Sequence, residues 1–319
     1  MPASLKLVHS ENELEARRWK AVERRDVDSN GEFWTCVKTT GVYCLPSCAA
    51  RPLRKNVIFA DTRRAAEDAG YRPCKRCRPE RYVQGGLAER IERIDWERAG
   101  AVLNAEGWAP LGRMLNDEEC RQLIGSYDED ERYRSTVVMR RHGFGEGEYR
   151  YFNETAPRIV AELRARFYEK LAPLANQWAG KLGRETGFPV RHAAYLKHCA
   201  KAGQARPTPL ILKYGPGDYN RLHQDLYGDE VFPLQIALLL SAPGKDFTGG
   251  EFVMTEQTPR RQSRAIVAPL EQGDAIAFAV NERPAEGARG IYRVKMRHGV
   301  SEVRTGSRYC LGVIFHDAA

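Results

Sequence analysis

Four cysteines in two close pairs constrain this 319-residue chain more than any other feature: Cys44-x3-Cys48, then 25 residues, then Cys74-x2-Cys77. Two such pairs can close four soft thiolates around one tetrahedral zinc ion. A folding unit this small has little apolar area, so a bound metal would supply much of its stability. Disulfides fit less well. The opening stretch MPASLKLVHSENELEARRWK lacks the apolar core of a signal peptide, so a reducing, cytoplasmic setting is expected. From the residues alone, a purely structural zinc and a metal-held nucleophile both stay open. Cys36 belongs to neither pair and is expected as a buried thiol on a strand.

Charge follows the cysteines. Residues 1–82 carry 17 Lys and Arg against 11 Asp and Glu, six of the chain's eight net positive charges. Arg72, Lys75, Arg76, Arg78 and Arg81 cluster there, interleaved with Tyr71 and Tyr82, which favours a polyanionic partner. Arg51, Arg54 and Lys55 read as phosphate contacts or as solvated surface. The longest apolar run, LQIALLLSA at 234–242, falls far below a membrane span. No membrane partner is expected, and the expected state is a monomer.

Composition shifts at Gly85-Gly86, where the chain is expected to divide into domains of residues 1–85 and 86–319. Leu87, Ile91 and Ile94 then recur at helical spacing. LNDEECRQLI at 115–124 predicts a helix capped by Asn116 with Glu119 three residues on. A further helix is expected over 156–182, kinked or broken at Pro173. From residue 209 short apolar runs alternate with Gly, Pro and Asp, which predicts a closed sheet or double-sheet jelly roll. The fold class is therefore α+β: a small α/β metal domain, then a jelly roll with flanking helices.

Within LKYGPGDYNRLHQDLYG lie His223 and Asp225, two positions apart and so on one face of a strand. His298 follows in KMRHGVSEVRTGSRYCLG. Two histidines and one carboxylate form the facial set that holds iron(II) with positions left open. Arg308, ten residues beyond His298 and expected on a neighbouring strand, could hold a carboxylate in bidentate fashion. His9, His142, His192, His198 and His316 have no ligand-like partners and read as surface or core residues.

Two resemblances sharpen this. FWTCVKTTGVYCLPSC followed by RKNVIFADTRRAAEDAGYRPCKRCRPE closely resembles the metal-binding domain of the Ada family of alkylation-repair proteins. The resemblance implies zinc on Cys44, Cys48, Cys74 and Cys77, with Cys44 as irreversible acceptor of a methyl group from a DNA phosphotriester. It also implies alkylated DNA as the partner of the first domain. The chain lacks that family's helix-turn-helix region and its Pro-Cys-His-Arg motif, so a transcriptional role does not follow.

The second stretch, with Tyr214, His223, Asp225, His298 and Arg308, FTGGEF at 247–252 and GDAIAF at 273–278, resembles the 2-oxoglutarate-dependent dioxygenase superfamily in its prolyl-hydroxylase-like branch. That implies a double-stranded β-helix, iron(II) on His223, Asp225 and His298, and Arg308 and Tyr214 on the distal carboxylate of 2-oxoglutarate, with O2 as co-substrate. The AlkB demethylases are similar more distantly, since their Asn-x-Tyr before the first histidine is absent. The combined reading is a DNA alkylation-repair protein that pairs a suicidal cysteine methyl acceptor with an oxidative dealkylase. A protein or amino-acid hydroxylase of the prolyl type, and a methylation-sensing DNA-binding regulator, are the alternatives.

Overall fold

The β-branched and aromatic residues around the first cysteine pair build short strands. The computed structural model describes the chain apart from residues 1, 2, 28, 84, 186 and 289 and the side chains of 3–12 and 64; His9 falls among the latter. The chain divides into two units, Met1–Gln84 and Gly85–Ala319. In the first, Trp34–Val37 lies between Val42–Cys44 and Val57–Ala60, and Arg72–Pro73 pairs in parallel with Val42–Cys44. Cys36, Tyr43 and Ala66 form its small buried cluster. A helix over Ala3–Arg24 precedes this sheet and was not foreseen from the sequence.

The second unit is a double-stranded β-helix. Its larger sheet runs, in spatial order, Trp108–Arg113, Asp274–Ala279, Leu234–Leu239, Arg308–Val313, Leu210–Tyr214, Glu148–Phe152 and Tyr133–Val138. The smaller sheet runs Arg264–Ala268, Phe252–Gln257, Gly290–Val300, Tyr219–His223 and Gly145–Glu146, with Glu282–Gly287 also paired to Gly290–Val300. Leu234–Leu239 is buried at every position, as a strand covered on both faces must be. The helix Arg158–Lys181 packs against it, burying Val160, Leu163, Phe167, Leu171, Leu174 and Trp178 at helical spacing.

Some expectations need correction. The helix continues through Pro173; the Glu169 carbonyl that loses a donor there sits on a part-exposed turn, where water can satisfy it. The larger sheet of the second unit takes three of its strands from before residue 209: Trp108–Arg113, Tyr133–Val138 and Glu148–Phe152. In the last two, apolar alternation is masked by arginines that lie over aromatic rings, Arg150 over Tyr133 and Arg134 over Tyr151, each 4.4 Å from the centroid. The capped helix does form, over Asp117–Gly125, with Asn116 and Glu119 exchanging hydrogen bonds. Buried Arg90 reinforces it by pairing with Glu119 at 2.6 Å.

Candidate metal centres

Two groups of ligand-type side chains converge, one in each unit. In the first, the sulfur atoms of Cys44, Cys48, Cys74 and Cys77 all lie within 4.8 Å of one another. The hairpin from Trp34 to Cys44 delivers the first sulfur, and the parallel pairing of Arg72–Pro73 beside Val42–Cys44 brings Cys74 alongside. Backbone amides point at two sulfurs: Leu45 N–H toward Cys77 at 3.4 Å and Ala50 N–H toward Cys48 at 3.5 Å. Such donors favour thiolate over thiol.

Four adjoining thiols cannot all ionise without a cation. Hydrogen bonds from its neighbours, Cys44 first, hold Cys48 well below the usual thiol range, while the bond to Cys48 and the second to Cys77 push Cys44 far up. This donor set fits a soft divalent ion such as zinc. Cys44 is 3% exposed and lines a cleft of about 10 Å³ with Thr35, Cys48 and Pro52. Cys36 is buried as expected, and that burial pushes its thiol up to about 11. Arg72, Lys75, Arg76 and Arg78 are exposed. Arg54 is otherwise engaged, paired with Glu15 at 2.5 Å and stacked over Trp19 and Phe59.

In the second unit, His223 and His298 are cross-strand partners in the smaller sheet. Asp225 sits between them, its Oδ1 3.4 Å from His223 Nε2 and its Oδ2 3.3 Å from His298 Nε2. The strand Tyr219–His223 ends at the histidine, so Asp225 occupies the loop beyond, not the same strand as the spacing argument had it. Other groups compensate. Tyr227 donates to Asp225 Oδ1 at 2.8 Å. Gln224 donates to Asn281 Oδ1 at 2.7 Å and Met296 O at 2.8 Å, tying the loop to the strand that carries His298. At Gly299, a Cβ would lie 2.6 Å from Asn220 O, so the two strands approach there as only glycine allows.

The protonation states answer to this geometry. His223 Nδ1 donates to Arg221 O at 2.7 Å, which leaves Nε2 free to accept or to ligate. Burial works against an ionised Asp225, yet the two imidazoles hold its carboxyl well below the usual range. Burial likewise opposes a charged His223, but Asp225 outweighs it and raises the imidazole. His298, fully enclosed and facing His223, is lowered. A divalent ion that displaced the proton Asp225 favours on His223 would meet two imidazole nitrogens and a carboxylate on one side of a pocket.

The other end of the pocket belongs to the larger sheet. Arg308 opens the strand Arg308–Val313, whose neighbours are Leu234–Leu239 and Leu210–Tyr214; it is not beside the His298 strand as expected. It is 1% exposed, and its Nε and Nη1 have no partner among the described residues. It faces Tyr214 in register, and its guanidinium lies 5.5 Å from that ring and 5.9 Å from the Phe247 ring. A buried, unpaired guanidinium is strongly unfavourable, so the fit is to a carboxylate that enters from the pocket. The intervening cavity is about 160 Å³.

Sequence reasoning missed Tyr227 and Gln235. Gln235 lies on the buried strand, 5% exposed, with an unpartnered Oε1 facing the same cavity. A lone amide inside PLQIALLLSA was the available signal; Tyr227 gave none, because the chain has left the strand. Of the remaining histidines, His192 and His316 are buried, His142 is exposed, and His198 pairs with Glu230 at 3.1 Å.

A double-stranded β-helix with this ligand set and buried arginine defines the second unit as an oxygenase. Residues 147–318 match the family of oxygenases described as catalysing oxidative methylation of damaged DNA, and the chain belongs to that family. Residues 17–80 match the metal-binding domain of Ada. The chain is 49% identical over 230 residues to an uncharacterised protein of Mycobacterium tuberculosis strain H37Rv, covering 72% of this chain and 94% of that one. It is 52% identical over 66 residues to the bifunctional transcriptional activator/DNA repair enzyme Ada of Escherichia coli K12, covering 20% of this chain and 19% of that protein. Among solved structures, the methylated N-Ada/DNA complex matches at 34% identity and TM-score 0.22, over 34% of this chain and 76% of that one. An oxidoreductase of the 2OG-Fe(II) oxygenase family from Burkholderia pseudomallei matches at 18% identity and TM-score 0.41, over 75% and 96%. No helix among the described residues is long and apolar enough to cross a membrane.

Proposed function

We propose that this chain is a cytoplasmic, monomeric DNA alkylation-repair protein in which residues 1–85 accept methyl groups and residues 86–319 remove alkyl groups by oxidation. The observation that carries the reading is Arg308: a buried guanidinium with unpaired Nε and Nη1, in the same cavity as His223, Asp225 and His298. Those three would hold iron(II), and Arg308 with Tyr214 would receive the distal carboxylate of 2-oxoglutarate. Iron with that co-substrate supplies oxygen activation and hydroxylation of an unactivated C–H bond.

The chain's own part is positional. Tyr227 and Gln224 fix the Asp225 loop, the apolar walls Phe252, Phe278 and Leu212 exclude water, and Arg308 sets the direction of the co-substrate. An alkyl carbon hydroxylated beside nitrogen or oxygen then leaves as an aldehyde and restores the original atom. In the first unit zinc would keep the four sulfurs ionised. At Cys44 a sulfur–methyl bond forms as the methyl–oxygen bond of a phosphotriester breaks, and the released oxygen keeps the electron pair as a phosphodiester anion.

The test is turnover by iron-loaded protein on methylated oligonucleotides, read as formaldehyde and succinate. Succinate formation driven by a proline peptide, and by no alkylated nucleic acid, would replace this reading with a protein hydroxylase.

A further inference from the structure

The mouth of the oxygenase cavity carries an unusual surface. Phe144, Leu222 and Leu226 are left 45%, 43% and 46% exposed. Phe144 lines the cavity, and the two leucines flank His223-x-Asp225 in the chain. Water-exposed apolar side chains grouped beside a cavity and rimmed by polar ones mark a docking site.

Phe144 is held, not loose. Arg221 N–H donates to Phe144 O at 2.8 Å, and the next residue, Gly145, pairs with Asn220. A Cβ at Gly145 would lie 2.2 Å from Tyr219 O, so this segment lies flush against the strand that ends in His223. The His142 ring stacks on Phe144 at 5.3 Å and 21°. Around this pair Arg140, Arg141 and Arg221 are exposed. The acidic group nearest Arg140, Glu146, is 3.9 Å away. Arg141 has no acidic partner among the described residues, and Arg221 lies over the Tyr219 ring.

An exposed arginine by itself is solvated surface, and a single aromatic is a loop anchor. The combination is more selective. Stacked flat rings offer a π-face to a planar base, and nearby guanidiniums offer charge to its phosphates; an acidic peptide would use only the second. A cavity of about 160 Å³ admits one small group and not a duplex, so a base must leave its stack to reach it.

We propose that His142 and Phe144 form a stacking platform for the base next to the lesion, with Arg140, Arg141 and Arg221 holding the flanking phosphates. The oxygenase unit thereby takes single-stranded DNA, or a base extruded from a duplex, through a surface of its own. This rests on the repair reading above.

The experiment uses the full chain loaded with zinc and a single-stranded oligonucleotide carrying 4-thiothymine, irradiated and mapped by mass spectrometry. Adducts are expected on the peptide containing residues 140–144. Phe144→Ala should weaken single-strand binding about tenfold, the scale of one lost base–aromatic stack, and Phe144→Trp should restore it. Arg140→Glu with Arg141→Glu should make binding less salt-dependent, with a slope smaller by about two. Adducts confined to residues 1–84, with Phe144→Ala binding unchanged, would overturn the platform. If wild-type protein still releases formaldehyde from methylated oligonucleotides in that case, only the platform fails. If no alkylated nucleic acid yields formaldehyde, the repair reading fails and the platform with it.

Discussion

His223 and His298 face each other across antiparallel strands with ring centroids 4.3 Å apart, and one carboxylate, Asp225, reaches both. Two imidazoles this close repel once both are charged, so the arrangement favours a state in which a shared cation replaces their protons. His223→Ala should abolish 2-oxoglutarate consumption and lower cobalt(II) affinity, measured by absorption titration, by more than the roughly 10–100-fold of an outer partner. Tyr227→Phe removes only the hydrogen bond to Asp225 and should fall inside that range. Equal affinities for Tyr227→Phe and wild type would deny Tyr227 a positioning role.

Arg308→Met should move two measurements in opposite directions. Removing an unpaired buried charge should stabilise the protein without co-substrate, by about 1–4 kcal/mol in thermal or urea unfolding. Binding of 2-oxoglutarate should weaken by about 2–5 kcal/mol, the scale of a broken buried charge pair. Loss of both stability and binding would mean that Arg308 already has a structural partner.

Zinc should be present at one ion per chain, and Cys74→Ala should lose it together with the calorimetric transition of the first unit. Metal binding in such small domains supplies about 10 kcal/mol or more of apparent folding free energy. Full zinc content in that variant would remove Cys74 from the ligand set.

Incubation with DNA carrying methylphosphotriesters should place one methyl group on Cys44, located by peptide mass spectrometry. A methyl on Cys48, or on none of the four, would leave the zinc of this unit purely structural.

Acid should destabilise the chain well before its carboxylates protonate. Burial, with help from Arg164, lowers His192 to about 3, and burial lowers His316 to about 4. The unfolded chain takes up those protons near pH 6.5, so it binds more protons than the folded one below that value. Stability is then lost as pH falls, by up to about 1.4 kcal/mol per pH unit for each histidine. His192→Phe should flatten the slope by one such increment; Phe315 O, which accepts from His192 Nε2, keeps a second donor in Arg164. An unchanged slope in denaturant titrations between pH 6 and 4 would contradict the neutral, buried His192.

Much of this was readable from the chain. Cysteine spacing determines which sulfurs can meet, and it foretold the cluster at Cys44, Cys48, Cys74 and Cys77 because each pair is a local turn. His223 and His298 were readable for another reason: a His-x-Asp pair with a second histidine downstream is the composition of a facial ligand set, and their spacings resemble the dioxygenase pattern. Asp225 joined them for the wrong reason, since it lies past the strand and depends on Tyr227 and Gln224. The strands at 133–138 and 148–152 escaped because their arginines lie over rings, and cation–π packing looks like polarity in a sequence; the strand at 108–113 escaped because Pro110 and Gly112 break its pattern. Arg308 was placed on the wrong sheet because a ten-residue interval does not say which layer a chain returns to.

That return has a consequence for substrate choice. The two histidines ride on one layer of the β-helix and the guanidinium on the other, so the width of the cavity between the layers sets their separation. The two jaws work as a caliper, set by the bulk of inward side chains such as Phe252, Phe278 and Leu212. On the proposed reading, the keto acid that would span the gap is selected by residues that would not touch its charged ends. A drift toward a shorter or longer diacid could begin with a change as plain as one core phenylalanine.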